Sequence, residues 1–250
     1  MNDPFPIPIP ERLPSKIEPC PIVEAIFEVR FTTGEPWRTL PGLLHEKIRE
    51  RYREQRDLPL AQIPEEIRRQ EPTLAHLPLM QFLSADFLVQ LGPGVLNLVT
   101  KPNAYPGWAA IEQELRWLLE KVQQAAFIQE GGRLGVRYID FFDEDVFGNL
   151  SLGVTIGDQV LRGSELRVVT ALRRPPFTAR LLVTNGAILG TGSEAKRGSV
   201  LDIDVWVGAL DFELFRDGIV KLGEAHLLVK QCFFGLAKPH FLASLHPTYE

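Results

Sequence analysis

A small number of polar side chains could carry chemistry in this chain, and His226 is the first of them. It interrupts an otherwise apolar helical stripe near the end of the sequence. An imidazole there needs hydrogen-bond partners for its ring nitrogens, because burying an unpaired polar atom costs free energy. We consider two interpretations: a general base or ligand in a cleft between helix and sheet, or a buried histidine bonded to a strand. In the second case Arg137, Tyr138 or Asp140 is the expected partner.

Asp202 and Asp204 are the second pair with chemical potential. They stand two residues apart in a predicted strand, so both carboxylates project from the same face. Such a pair can hold a divalent cation when a third ligand approaches, which makes both residues candidate metal ligands. The alternative is a strand with one solvated face, since Ile203 and Val205 point the other way. Trp206 on the acidic face favours a ligand or contact surface.

Arg137 and Asp140 are further candidates for a catalytic or binding role. They lie three residues apart in a predicted strand and therefore on opposite faces. A buried arginine usually needs a carboxylate, which Glu24 or Glu28 could supply if their strand is a neighbour. A structural ion pair and an anion site are both consistent with this pattern. The sequence has no recognised motif for nucleophilic catalysis, zinc or phosphate binding, so we predict no cofactor and do not favour an enzyme.

Composition limits the class of protein. The chain has 250 residues, 45% of them hydrophobic, and a formal net charge of −5. This acidic balance gives no electrostatic reason to expect nucleic acid as a partner. Cys20 and Cys232 are too few for a disulfide framework and fit a reducing compartment. No leader peptide or membrane-length apolar run is recognised, so we predict a cytoplasmic protein without a membrane partner.

Proline content and periodicity predict the organisation of the chain. Residues 1–21 contain prolines at 4, 6, 8, 10, 14, 19 and 21, which favours an extended arm. Residues 22–250 are predicted to form a single α+β domain, with two subdomains, 22–145 and 150–250, as the alternative. The segment 54–77, broken by three prolines, is typical of a surface loop with one short helix.

The predicted elements follow the order βαβββαβ in the first half and βββα in the second. Strict alternation over 22–31 indicates a half-buried strand, and a Gly-Pro-Gly turn at 92–94 joins two strands of a meander. The last helix is predicted from one apolar stripe with four- and three-residue steps: Phe215, Ile219, Leu222, His226, Val229, Phe233 and Leu236. These patterns predict a largely antiparallel sheet or sheets covered by three main helices.

Four motifs together resemble a sporadically distributed family of prokaryotic proteins of unassigned biochemical function. They are Pro21-Ile22-Val23-Glu24-Ala25, Tyr105-Pro106-Gly107-Trp108, Val136-Arg137-Tyr138-Ile139-Asp140, and Ala225-His226 with Phe233. In that family the position of Asp140 is commonly Asn, which implies that no carboxylate is required there. Patchy occurrence is typical of defence islands and toxin–antitoxin loci, so the resemblance implies a role in such a system.

We therefore hypothesise a non-enzymatic binding or regulatory protein of the cytoplasm. A protein partner is favoured over nucleic acid, with the arm and the segment 54–77 as contact surfaces, and a homo-oligomer is left open. The alternative is a small-molecule-binding protein or metal-assisted enzyme with a cleft between the last helix and the sheet. That cleft would be built from a shared set of side chains: Arg137, Asp140, Asp202, Asp204 and His226.

Overall fold

The computed structural model describes residues 5–161, 165–190, 192 and 195–249, so the first residues of the arm lie outside it. Its strands are β1 (Ile22–Thr32), β2 (Glu54–Asp57), β3 (Met80–Leu83), β4 (Phe87–Gly92), β5 (Val95–Thr100), β6 (Glu130–Phe142), β7 (Thr155–Ile156), β8 (Gln159–Val160), β9 (Arg167–Arg174), β10 (Phe177–Leu189) and β11 (Lys196–Gly208). Its α-helices are α1 (Leu40–Ile48), α2 (Glu65–Gln70), α3 (Trp108–Ala125), α4 (Leu214–Leu236) and α5 (Pro239–Ser244).

The strands form one large antiparallel sheet in the order β2-β3-β4-β5-β1-β6-β11-β10-β9, while β7 pairs with β8. The predicted α+β class is confirmed, and the predicted order agrees with the structure except for short additional elements. One of these is β2, within the segment predicted as a loop. Its residues Glu54–Asp57 are all exposed, so they show no hydrophobic alternation from which a strand could be predicted.

By internal contacts the chain divides into two compact units. Unit 1 comprises Met1–Val23, Arg137–Val205 and Ala225–Glu250, and unit 2 comprises Glu24–Val136 and Trp206–Glu224. Each unit is assembled from segments that are distant in sequence. Strands β1, β6 and β11 and helix α4 contribute residues to both, because the division falls within these elements.

Unit 2 is organised around the alternation of β1. Phe27 and Phe31 are buried on one face of this strand, and the register places Phe27 opposite Leu98 of β5. The same face is covered by α3 and the residues after it. The ring of Trp108 lies 6.0 Å from that of Phe27, and the ring of Phe127 lies 5.5 Å from that of Phe31. Aromatic burial of this kind supplies much of the free energy of packing.

Unit 1 contains the carboxyl half of α4, whose apolar stripe is buried as its periodicity predicts. The buried residues include Leu228, Val229, Phe233 and Leu236, and His226 lies among them with 8% of its surface exposed. Burial of each large aliphatic side chain contributes roughly 1.5–3 kcal/mol. In the described part of the chain, no helix combines the length and apolar character needed to cross a bilayer.

The proline-rich arm packs against the end of the same chain within unit 1. The backbone N–H of Thr248 donates to the carbonyl oxygen of Lys16 at 2.8 Å, and Nζ of Lys230 donates to that of Pro14 at 3.0 Å. The arm also passes close to Gly235 of α4, where a Cβ would collide with the carbonyl oxygen of Pro8. A side chain is excluded at this position because the arm's backbone occupies the space.

Candidate functional site

His226 is hydrogen-bonded to a strand in unit 1. The phenolic oxygen of Tyr138 in β6 lies 2.8 Å from Nδ1 of His226, and the two ring centroids are 5.8 Å apart. Both side chains are buried. Tyr138 is one of the partners predicted for a buried histidine. The contact gives a ring nitrogen of His226 the hydrogen-bond partner that it needs within an apolar stripe.

The surroundings of His226 keep its ring neutral. Burial is the main cause that lowers its pKa to about 3, and the positive charge of Lys230 one turn later lowers it further. A histidine with this pKa does not become charged between pH 5 and 8, the range in which histidine usually acts as a proton carrier. The contact with Tyr138 therefore has the character of a core hydrogen bond.

Arg137 and Asp202 form a bidentate ion pair between β6 and β11 in unit 1. Nε of Arg137 donates to Oδ1 of Asp202 at 2.8 Å, and Nη2 donates to Oδ2 at 2.7 Å. Charge-assisted pairs with this parallel geometry are the stronger kind of side-chain hydrogen bond. The Asp202 side chain is 6% exposed and that of Arg137 39% exposed, so the carboxylate is buried beneath a guanidinium that reaches solvent.

Asp140 lies on the opposite side of β6 from Arg137, as strand alternation predicts. Only 3% of its surface is exposed. Burial, with a smaller contribution from the charge of Asp202, raises the pKa of Asp140 to about 8, so its carboxyl group is mainly protonated at neutral pH. Burial also raises the pKa of the Cys20 thiol, and the nearby carboxyl group of Asp140 raises it further.

Asp204 shares a face of β11 with Asp202, and it is half-buried. Both oxygens of Asp202 accept hydrogen bonds from Arg137. The carboxylate that a metal cation would need is therefore already paired with a guanidinium. Among residues 5–161, 165–190, 192 and 195–249, no group of three or more His, Cys, Asp or Glu side chains has an arrangement that could hold a metal ion.

Trp206 and Glu28 belong to a second ionic cluster, in unit 2. Glu28 accepts a hydrogen bond from Nε of Arg30 at 2.7 Å and forms a short ion pair with Arg133. The guanidinium of Arg133 lies 4.8 Å from the ring centroid of Trp206. Trp206, predicted to lie on a ligand or contact surface, is thus stacked against a cation of its own chain.

Another ionic contact in unit 2 joins Glu114 of α3 to the residues that follow α1. Glu114 accepts hydrogen bonds from the phenol of Tyr52 at 3.0 Å and from Nη1 of Arg51 at 2.5 Å. Burial and the neighbouring carboxylate raise the pKa of Tyr52. A sequence signal existed, because Glu114 falls on the helical stripe that contains Ile111 and Leu118. A charged residue on an apolar stripe predicts a buried partner.

The strand β9 ends the large sheet, and one hydrogen bond determines which of its residues face outward. The backbone N–H of Asn185 donates to the carbonyl oxygen of Leu166 at 3.0 Å, and the register pairs Arg167 with Thr184. In an antiparallel ladder, residues that bond to the neighbouring strand alternate with residues that do not. Leu166, Val168 and every second residue after them therefore direct their backbone groups toward β10.

The intervening residues of β9 direct their N–H and C=O groups away from β10. They are Arg167, Val169, Ala171 and Arg173, and each is exposed, whereas the residues between them are half-buried. Val169 has 52% of its surface exposed, which is high for a β-branched residue in a strand. The edge of unit 1 thus presents backbone donors and acceptors together with accessible side chains.

No family model and no curated protein matches the chain. The resemblance to a sporadic prokaryotic family therefore stays a prediction from its motifs.

Proposed function

We propose that this chain is a binding protein that captures an extended segment of a partner protein along strand β9. The observation that carries the proposal is the outward direction of the backbone groups of Arg167, Val169, Ala171 and Arg173. An exposed strand edge is a template for a further strand, because main-chain hydrogen bonds supply affinity and alternate side chains supply specificity.

The two ends of the sheet differ in a way that supports this choice of surface. At the other end, β2 has 4 residues, and Glu54, Arg56 and Asp57 place charges of both signs along it. Short, charged edge strands resist pairing with another chain. Strand β9 has 8 residues, with β-branched residues in its interior and no proline. It has the length and composition that a docking edge requires.

The competing proposal is an enzyme or ligand sensor. Such a protein needs several of the candidate polar side chains to converge on one cleft that binds the substrate or ligand. Two contacts favour the binding proposal over it. Arg137 is held in a bidentate pair with Asp202, and His226 is buried in a hydrogen bond with Tyr138. Both contacts supply hydrogen-bond partners within the fold, which favours a structural role for these side chains over binding of a substrate.

We further propose a cytoplasmic location and a role in a defence or toxin–antitoxin system. The location is supported by Cys20 and Cys232, which are both free thiols. The role is supported by the resemblance of the motifs, and it predicts that the partner is the product of an adjacent gene.

The test of strand addition uses two substitutions at one position. Ala171→Pro removes an outward N–H and leaves the ladder to β10 intact, because Ala171 does not donate to that strand. Ala171→Thr keeps the N–H and the strand preference. In pull-down from the native host, we expect the wild-type chain and Ala171→Thr to recover a stoichiometric partner and Ala171→Pro to lose it.

Hydrogen–deuterium exchange supplies the second measurement. In the isolated chain the outward amides of Val169 and Ala171 should exchange faster than the inward amides of Val168 and Thr170. In the complex the outward amides should become protected. The proposal fails if Ala171→Pro, shown by circular dichroism to be folded, retains the partner, or if the wild-type chain is repeatedly recovered alone.

A further inference from the structure

We infer that the segment captured by β9 is acidic, with carboxylates near its two ends that meet Arg167 and Arg173. This inference rests on the proposed function, since it assumes that β9 accepts a strand. It adds the chemistry of the partner, which the backbone of β9 does not specify.

The first argument is the charge of the two outer strands. From residue 167 to residue 189 the chain carries the basic residues Arg167, Arg173, Arg174 and Arg180 and has no Asp or Glu. The whole chain nevertheless has a formal net charge of −5. A basic edge on an acidic protein attracts acidic segments and repels the same basic edge of another copy.

The second argument is the placement of these side chains. The register pairs Ala171 with Arg180 and Thr178 with Arg173, so Arg180 lies on the same face as Arg173, one pair further along. Diagonal neighbours of this kind are about 7–8 Å apart, within reach of long side chains. Arg167 and Arg173 are exposed on this face at opposite ends of the strand. An added strand therefore meets guanidinium groups at both ends.

The third argument concerns the middle of the strand. Val169 is 52% exposed between the two arginines. A β-branched or aromatic residue opposite Val169 would bury this surface, because cross-strand pairs of such residues stabilise a sheet by roughly 0.2–1 kcal/mol. The expected segment therefore combines acidic residues near its ends with an apolar residue at its centre.

A second copy of this chain fits the edge poorly. If two β9 strands pair antiparallel so that all their outward residues match, Arg167 of one copy lies opposite Arg173 of the other, twice. Like charges directly opposite one another destabilise a sheet. Repulsion between these arginines therefore destabilises the pairing of two copies that would form the most backbone hydrogen bonds.

Nucleic acid also fits less well than an acidic peptide. Each outward residue of β9 offers a backbone acceptor as well as a donor, and a phosphate group satisfies donors alone. The sequence Arg167–Arg174 contains no aromatic residue on which a base could stack. A peptide backbone supplies both partners at the spacing of a strand.

The test uses synthetic peptides as probes and fluorescence anisotropy as the measurement. One peptide of 8 residues, the length of β9, has Glu at two positions six residues apart with Val and Thr at the two alternate positions between them, and a second has Lys in place of each Glu. We expect wild-type chain to bind the Glu peptide at least about 10-fold more tightly than the Lys peptide, about 1.4 kcal/mol. Arg167→Glu/Arg173→Glu should reverse the preference, and Ala171→Pro should abolish both interactions.

The outcomes separate this inference from the proposed function. If the Lys peptide binds the wild-type chain as tightly as the Glu peptide, and Ala171→Pro abolishes both, strand addition stands and the acidic partner is wrong. If the Glu peptide binds Ala171→Pro unchanged, the contact is not strand addition and both proposals fail. If an oligouridylate of equal charge binds more tightly than the Glu peptide, or if neither peptide binds, the inference is overturned.

Discussion

The phenol of Tyr138 and Nδ1 of His226, 2.8 Å apart, connect β6 to α4 through two buried side chains. The pair explains how a histidine can occupy an apolar stripe. His226 stays uncharged because its ring is buried among core residues and has the positive charge of Lys230 nearby. Removing either member should therefore alter stability more than it alters any surface property.

Substitution of Tyr138 by Phe should destabilise the fold. The variant loses the hydrogen bond and leaves a buried ring nitrogen of His226 without this partner, at a cost of about 1–3 kcal/mol. Urea denaturation followed by circular dichroism measures the change. Tyr249→Phe is the control, because Tyr249 is 40% exposed and Phe keeps its ring over Arg12. Equal stability of Tyr138→Phe and wild type would contradict the buried pair.

His226 should make the fold less stable as the pH falls. Its pKa is about 3 in the folded chain against an ordinary value of 6.5, so below pH 6.5 the unfolded chain takes up a proton that the folded chain does not. The free energy of unfolding should then decrease by up to about 1.4 kcal/mol per pH unit toward pH 3.

Denaturation series between pH 7 and pH 5, with Asp140→Asn added to wild type and to each variant, isolate this contribution, because the opposite contribution of Asp140 is then absent and most other carboxylates titrate lower. His226→Gln should reduce the slope, and His240→Gln should keep it, because His240 is exposed. An identical slope in wild type and His226→Gln would show that the imidazole is not held neutral.

Asp140 should act in the opposite direction. Its folded pKa is about 8 against an ordinary value of 3.8, so within that window the unfolded chain releases a proton that the folded chain keeps. Stability from this group is therefore lost as the pH rises, by up to about 1.4 kcal/mol per unit.

Replacement of Asp140 by Asn should remove this loss, because the amide has nearly the shape of the protonated carboxyl and cannot ionise. We expect Asp140→Asn to unfold at a higher temperature than wild type at pH 8 and with a smaller difference at pH 5. Asp202→Asn is the matched comparison, and it should be destabilised because it weakens the pair with Arg137. A lower melting temperature of Asp140→Asn at pH 8 would contradict the protonated state.

Gly235→Ala should release the arm from α4. The added Cβ meets the backbone oxygen of Pro8, which must move, and overpacking of this kind costs about 1–3 kcal/mol. Limited proteolysis should cleave the arm faster in this variant. Gly223→Ala in the same helix is the control, because its Cβ would meet Trp108 at 3.8 Å, an ordinary contact. Equal cleavage rates in both variants would show that the arm is not held at Gly235.

Periodicity predicted most elements correctly. The alternation of β1 and the stripe of α4 are both visible in sequence, because a single face of each element is buried and its residues recur at the element's own period. The polar strand β2, which has no such period, is not predicted, whereas the short helix predicted within 54–77 corresponds to α2. All residues of β2 are exposed, so no pattern of hydrophobic residues indicates its conformation.

The candidate site shows the same division. The sequence indicated that His226 needs a polar partner and that Arg137 needs a carboxylate, since burial of either group alone is unfavourable. It left Tyr138 as one of several possible partners for the histidine. Arg137 and Asp202 are 65 positions apart in sequence. At such a separation the sequence does not distinguish Asp202 from other carboxylates as the partner of Arg137.

The sequence by itself determined the α+β class, the buried faces of elements with a clear hydrophobic period, such as β1 and the carboxyl half of α4, and the residues that could not be buried alone. The tertiary structure alone decided that β9 is an edge and that Arg167, Val169, Ala171 and Arg173 face outward. The physical reason is that a hydrophobic period involves residues a few positions apart in sequence. The order of strands depends instead on which segments, distant in sequence, pair with one another in the folded chain. An edge strand and a central strand can share the same local pattern.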